Sequence, residues 1–211
     1  MSFHTTPLFG GAITVDLPSN FHDVSDIRQI PDNQEVYLDV NGFSSIVVDI
    51  LERVEKPDDE ALKVHLADVV SGTGDETSVV RQGGVELGKM SNTPASHIHF
   101  LQTPSPPTIS LSSGGAVQPV NPPSGPSHRR TADFTSIHLI LLRLTEQTTD
   151  IVITVNVPHY PGEYVKDELE GGVGNGGQAG SFGKTQLMKD AEEVVERILR
   201  SFEVRDFGLF N

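Results

Sequence analysis

Four short stretches of this chain have residue types and spacings that could do chemistry. His97-Ile98-His99 would place two imidazoles on one side of a strand, the beginning of a metal site. Zinc needs a third and usually a fourth ligand, and nothing nearby in the sequence supplies them, so the pair reads as exposed or partly buried histidines without a metal. Gly172-Val173-Gly174-Asn175-Gly176-Gly177 has the G-x-G-x-x-G spacing of a dinucleotide loop, but Asp167-Glu168-Leu169-Glu170 stands where an apolar strand is required. Gly183-Lys184-Thr185 ends like a phosphate-binding loop, yet Gln178 occupies the position of its first glycine. The fourth stretch, Pro31-Asp32-Asn33-Gln34-Glu35-Val36, offers recognition instead of bond-breaking: two carboxylates and two amides on a backbone stiffened by proline. There is no G-x-S-x-G elbow and no pair of carboxylates whose spacing alone supports acid–base catalysis.

The elements that must position these groups follow from periodicity. Glu35 to Val40 alternates polar and apolar, a strand expected to bury Val36, Leu38 and Val40, with Asp32, Gln34 and Glu35 at or before its start. The ordinary alternative for those polar residues is a solvated turn. After a turn at Asn41-Gly42, apolar residues at 46, 47, 50, 51 and 54 fit a short helix capped by Ser44 or Ser45. Ala61 to Val69 fits a half-buried strand carrying Leu62, Val64 and Leu66, followed by a turn at Gly72-Thr73-Gly74-Asp75. Residues 137 to 144 and 150 to 157 read as an antiparallel hairpin at the sheet centre. Gln186 to Phe202 reads as an amphipathic helix with Leu187, Ala191, Val194, Val195, Ile198 and Phe202 on its apolar stripe.

Residues 102 to 133 are rich in proline, serine and glycine, and residues 161 to 183 are glycine-rich; both are expected to be flexible insertions in a single domain spanning 1–211. Thr108 to Leu111 could form a short strand in the first. The chain carries 29 acidic against 15 basic residues, a net charge of −14, which disfavours nucleic acid and anionic membranes and favours a basic protein partner. The absence of cysteine excludes a disulfide framework, a thiol nucleophile and a thiolate metal site. MSFHTTPLFGG has neither a basic n-region nor an apolar run, so the expectation is a protein that is neither secreted nor membrane-spanning. Lys166-Asp167-Glu168-Leu169 is internal and is not an endoplasmic-reticulum signal.

Leu8-Phe9-Gly10-Gly11-Ala12, the polar turn Asp23-Val24-Ser25-Asp26-Ile27-Arg28, the segment Pro31 to Val36, and LLRLTEQTTDIVITVNVP at 141 to 158 together resemble the Mog family of Ran guanine-nucleotide release factors. The resemblance extends over residues 7 to 69 and 137 to 158, and over the final helix and Phe210. It implies an α+β fold, three-layer α/β/α with a central, mostly antiparallel sheet of about six strands, shared with the PsbP proteins. It implies binding of the small GTPase Ran, release of its nucleotide and support of nuclear import, with Asp32 and Glu35 in the family's acidic patch and Asn33 and Gln34 adding neutral hydrogen bonds. It further implies a regulatory protein, not an enzyme, acting in nucleus and cytoplasm, with other Ran-binding proteins as candidate joint partners. The residues themselves nominate no cofactor or metal, and with no heptad seam and no obvious exposed strand patch in the sequence a monomer is the default expectation. Two other classes stay open on the residues themselves: an acidic adaptor that binds a basic partner without affecting nucleotide affinity, and an enzyme acting on a small ligand in a pocket of the sheet.

Overall fold

The computed structural model describes residues 1–24, 30–105, 130–165 and 183–210. Twelve of its elements matter here: β1 (Phe3–Leu8), β2 (Ile13–Pro18), β3 (Phe21–Asp23), β4 (Gln34–Asp39), β5 (Ser45–Glu52), α1 (Asp58–Val70), β6 (Glu76–Val85), β7 (Ala95–Thr103), β8 (Phe134–Leu144), β9 (Thr149–His159), α2 (Gln186–Ser201) and β10 (Glu203–Val204). Among the described residues seven strands form one antiparallel sheet in the order β3-β4-β5-β9-β8-β7-β6, and three form a second sheet, β1-β2-β10. The large sheet thus exceeds the expected six strands by one, while the α+β class and the antiparallel character stand.

A helix lies on each face. On one, Ala61 and Leu62 of α1 pack with Ile98, Phe100, Ile137, Leu139, Leu141 and Val152. On the other, α2 and the small sheet share a larger core that includes Val15, Leu17, Tyr37, Ile46, Val48, Ile153, Val194, Ile198 and Phe202. The α2 stripe is as the periodicity predicts, except that Met188 and Ser201 are also buried and Leu187 is only partly so. Thr185 caps α2, its hydroxyl accepting from the Met188 amide at 3.1 Å. The β8–β9 hairpin pairs from Leu144↔Thr149 to Phe134↔His159 and places β9 at the middle of the seven strands.

Two expectations are exchanged in the structure. Ser45–Glu52 is strand, not helix, and Asp58–Val70 is helix, not strand. Ile46, Val47, Val48 and Ile50 are β-branched, stiff at χ1 and well suited to a pleated surface, and Ile46 and Val48 enter the core together as residues two apart must in a strand. In α1, Ala61, Leu62 and His65 are buried at helical spacing, Pro57 precedes the first turn, and Asp58, Asp59 and Glu60 complement the helix dipole there.

The phase of β4 also differs from expectation. Tyr37 is the buried residue, while Leu38 and Val40 are exposed and Val36 is half-buried. An aromatic ring fills more of the core than the aliphatic set on the opposite face, so Tyr37 decides which way the strand faces. That choice carries Glu35 inward with it. Of the two insertions, residues 106–129 and 166–182 lie outside the described residues, as do the expected strand at Thr108–Leu111 and the glycine motif at 172–177. Residues 102 and 103, expected at the start of an insertion, are the end of β7.

Candidate functional site

The acidic stretch sits at the turn that enters β4. The Gln34 amide donates to the Pro31 carbonyl at 2.9 Å, closing the turn, and the Ile50 amide donates to the Asn33 carbonyl at 2.8 Å, docking it on β5. Side chains repeat the connection: Asn33 Nδ2 donates to the Ile50 carbonyl at 3.0 Å and Gln34 Nε2 to Asp49 Oδ1 at 2.6 Å. Asp32 is exposed at the tip of the turn. Residues 25–29, which precede it and include Arg28, lie outside the described residues.

Glu35 is placed differently from a turn residue. It lies within β4, half-buried, with Oε1 accepting from the Phe9 amide at 2.5 Å and Oε2 accepting from the Tyr37 hydroxyl at 3.1 Å. Phe9 has φ 49° and is followed by Gly10 and Gly11 at φ 66° and 92°. A non-glycine residue in left-handed backbone is strained and needs something to hold it, and here the Glu35 carboxylate does so. The glycine-marked turn and the acidic stretch, 26 residues apart in sequence, are therefore one structural unit. Burial raises the Glu35 carboxyl above the ordinary range, the Phe9 and Tyr37 hydrogen bonds oppose the rise, and the charge of Asp23 adds to it. Burial and the same carboxylate push the Tyr37 hydroxyl up.

The four residues singled out from the sequence thus come together but do not do the same thing. Asn33 and Gln34 tie the turn to β5, Glu35 ties β4 to the Phe9 turn, and Asp32 alone stands outside these internal bonds. Asp23, exposed and paired with Tyr37 across β3 and β4, and Asp49, whose carboxyl is raised by burial and lowered by the Gln34 bond, complete an acidic end to the sheet. Their sequence signal was weak, since each is an isolated carboxylate until the strands pair.

Two further clusters occur in the sheet. His97 and His99 are buried and are joined by His138, whose register partner is His99. The His97 and His138 rings meet at 3.0 Å between Nε2 and Nδ1, and His99 Nε2 lies 2.9 Å from the Ser136 hydroxyl. The expected pair is thus a triad, but its rings stack nearly parallel, within 6°, instead of converging, and no metal-holding group occurs among the described residues. Burial lowers all three, to about 4 for His97 and His99 and about 2 for His138. On the other face Arg143, 2% exposed, donates to Asp150 at 3.1 Å, to Asp58 at 2.9 Å and to the Lys56 and Val54 carbonyls. His65 meets the second Asp150 oxygen at 2.8 Å. Burial raises the Asp150 carboxyl, but the bonds from His65, the Val54 amide and Arg143 outweigh it and hold it below the usual range. A cleft of about 500 Å³ is bordered by Asn92–Pro94, Arg143–Gln147 and Phe207, away from the acidic turn.

Residues 6–158 match the family model described as the Ran-interacting Mog1 protein. The chain is 32% identical to the Ran guanine nucleotide release factor of Danio rerio over 153 residues, covering 72% of this chain and 76% of the relative. It is 28% identical to the nuclear import protein mog1 of Schizosaccharomyces pombe, over 96% of this chain and 98% of the relative. Among solved structures, the crystal structure of the Saccharomyces cerevisiae Ran-binding protein Mog1p superposes with a TM-score of 0.66 at 26% identity, covering 100% of both chains.

Proposed function

The chain belongs to the Ran-interacting Mog1 family, and from that membership we propose that it binds the small GTPase Ran, promotes release of its guanine nucleotide and so supports nuclear protein import. The observation that carries the reading is the span of the family match, residues 6–158, which takes in both the Phe9 turn and the acidic turn that Glu35 joins to it. The protein acts without breaking a covalent bond. A factor that binds the nucleotide-free GTPase more tightly than the loaded form must lower nucleotide affinity by the same ratio, by linkage alone.

Asp32 is the steering and contact carboxylate in this reading, with Asn33, Gln34 and Glu35 as the contacting and supporting groups around it. The rigid turn presents its charge without an ordering cost, and a net charge of −14 favours approach of a basic surface. Association slows as salt rises, because charge steering acts within a Debye length of about 8 Å at physiological ionic strength. Residues 1–211 act as one unit that needs no cofactor, and they work in nucleus and cytoplasm, where a nucleocytoplasmic GTPase regulator is required.

The test is release of fluorescent guanine nucleotide from purified Ran, with the natural chain and with Asp32→Lys. The expected result is acceleration by the natural chain and at least a tenfold loss in a variant whose circular dichroism is unchanged. Binding without acceleration would instead describe an adaptor, and no binding would leave only the fold in common with the family.

A further inference from the structure

The helix α1 covers only part of its face of the large sheet. Its apolar contacts lie on β7, β8 and β9, with Leu51 and Val54 at the far end of β5. On the same face, β4 and β5 present Gln34, Val36 and Leu38 opposite Asp49, Val47 and Ser45. Val36, Leu38 and Val47 belong to neither hydrophobic core. At the end of this stripe Leu38 is 36% exposed, Val40 60% and Phe43 50%. Among the described residues no helix covers this half-face; such a face of an antiparallel sheet ordinarily alternates to polar side chains, and contiguous exposed apolar residues rimmed by polar ones mark an interaction surface.

We infer that this half-face of β4 and β5 is the seat of the GTPase, so that the contact begins at the acidic turn and runs along β4 to the hairpin tip at Phe43. The inference rests on the reading above and adds the surface that completes it. A turn of four residues is too small alone, because a specific interface buries about 800 Å² and about 20–30 residues on each partner. From Asp32 the contact has one apolar direction open to it. The other side of β4 is closed, with Tyr37 in the core and Glu35 bonded to the Phe9 turn. Along the open side Gln34, Val36 and Leu38 follow in order on a strand of six residues, about 20 Å long at the usual rise. Asp32 and Asp49 supply negative charge at one end, and Val36, Val47 and Leu38 supply an apolar centre, the arrangement of a hydrophobic core with a polar rim. The complementary surface carries basic groups facing Asp32 and Asp49 and apolar groups facing Leu38.

Because the chain has no cysteine, a single introduced thiol reports its own burial. Leu38→Cys, and Val79→Cys on the far edge strand β6, are alkylated with a maleimide in the presence and absence of saturating Ran, and followed by the intact mass of this chain. Bound Ran is expected to slow alkylation at Leu38→Cys at least tenfold and to leave Val79→Cys unchanged; in parallel, Leu38→Lys is expected to weaken Ran binding at least tenfold. Equal rates at Leu38→Cys with Ran bound at saturation would overturn the inference and leave the proposed function standing. Failure of the natural chain to bind Ran at all would remove the reading and the inference with it. Sedimentation of the natural chain provides the remaining arm: a dimer that Leu38→Lys dissociates, with Ran binding intact, would assign the face to a second copy and also overturn the inference.

Discussion

Glu35 and Asp32 stand three positions apart and are opposite in kind. Glu35 holds a left-handed Phe9 and takes the Tyr37 hydroxyl, so its loss leaves two part-buried donors without an acceptor. Glu35→Ala is expected to lower unfolding stability by about 1–3 kcal/mol, read from urea denaturation. Asp32, exposed at its turn, is expected to change stability by less than about 0.5 kcal/mol on truncation. An equal loss for both would assign Asp32 a structural role that the geometry does not give it. Charge reversal at both positions at once mixes a binding effect with a folding effect, and Asp32 alone separates them.

Polar links also fasten elements to one another, among them the buried set around Arg143. It joins the β8–β9 hairpin to the β5–α1 connection through Val54 and Lys56, to the first turn of α1 through Asp58, and to the middle of α1 through His65 and Asp150. Removing one member of a buried pair leaves the other charge uncompensated, which costs about 3–5 kcal/mol. Asp150→Ala is expected to fall in that range by chemical denaturation, with hydrogen exchange quickening in α1 more than in α2, which is held on the opposite face by Thr185 and the larger core. Both α1 and β5 carry apolar spacings that admit more than one period. Positions 46, 47, 50 and 51 suit a helix on paper because β5 serves three surroundings in turn: the α2 core through Ile46 and Val48, the open half-face through Val47, and the α1 core through Leu51.

The whole molecule stacks α1, the large sheet, and α2 with the small sheet, and the second interface encloses His97, His99 and His138 in neutral form. Among the described residues, the charges of Arg81, Lys184 and Glu192 act on this cluster. Their folded values lie below the ordinary 6.5, so the neutral histidines cost nothing above that pH and the unfolded chain takes up protons first as pH falls. Stability is expected to decline from about pH 6.5 toward pH 4, with each histidine costing about 2 kcal/mol by pH 5, 1.5 pH units below its unfolded value. Melting temperatures across this range check it: His138→Gln is expected to flatten the decline, and an unchanged slope would show that other groups set it.

The sequence by itself determined the members of the hairpin at 137–157, the amphipathic α2, the family and the acidic stretch, because each is a local pattern or a run of specific residues. Only the tertiary structure decided that Tyr37 faces inward, that Glu35 therefore reaches Phe9, that His138 meets His97 and His99, and that α1 covers only part of its sheet face among the described residues. The second group depends on which strands pair and in what register. Register turns every side chain of a strand together, so one aromatic residue choosing the core reassigns an acid two positions away from solvent to structure.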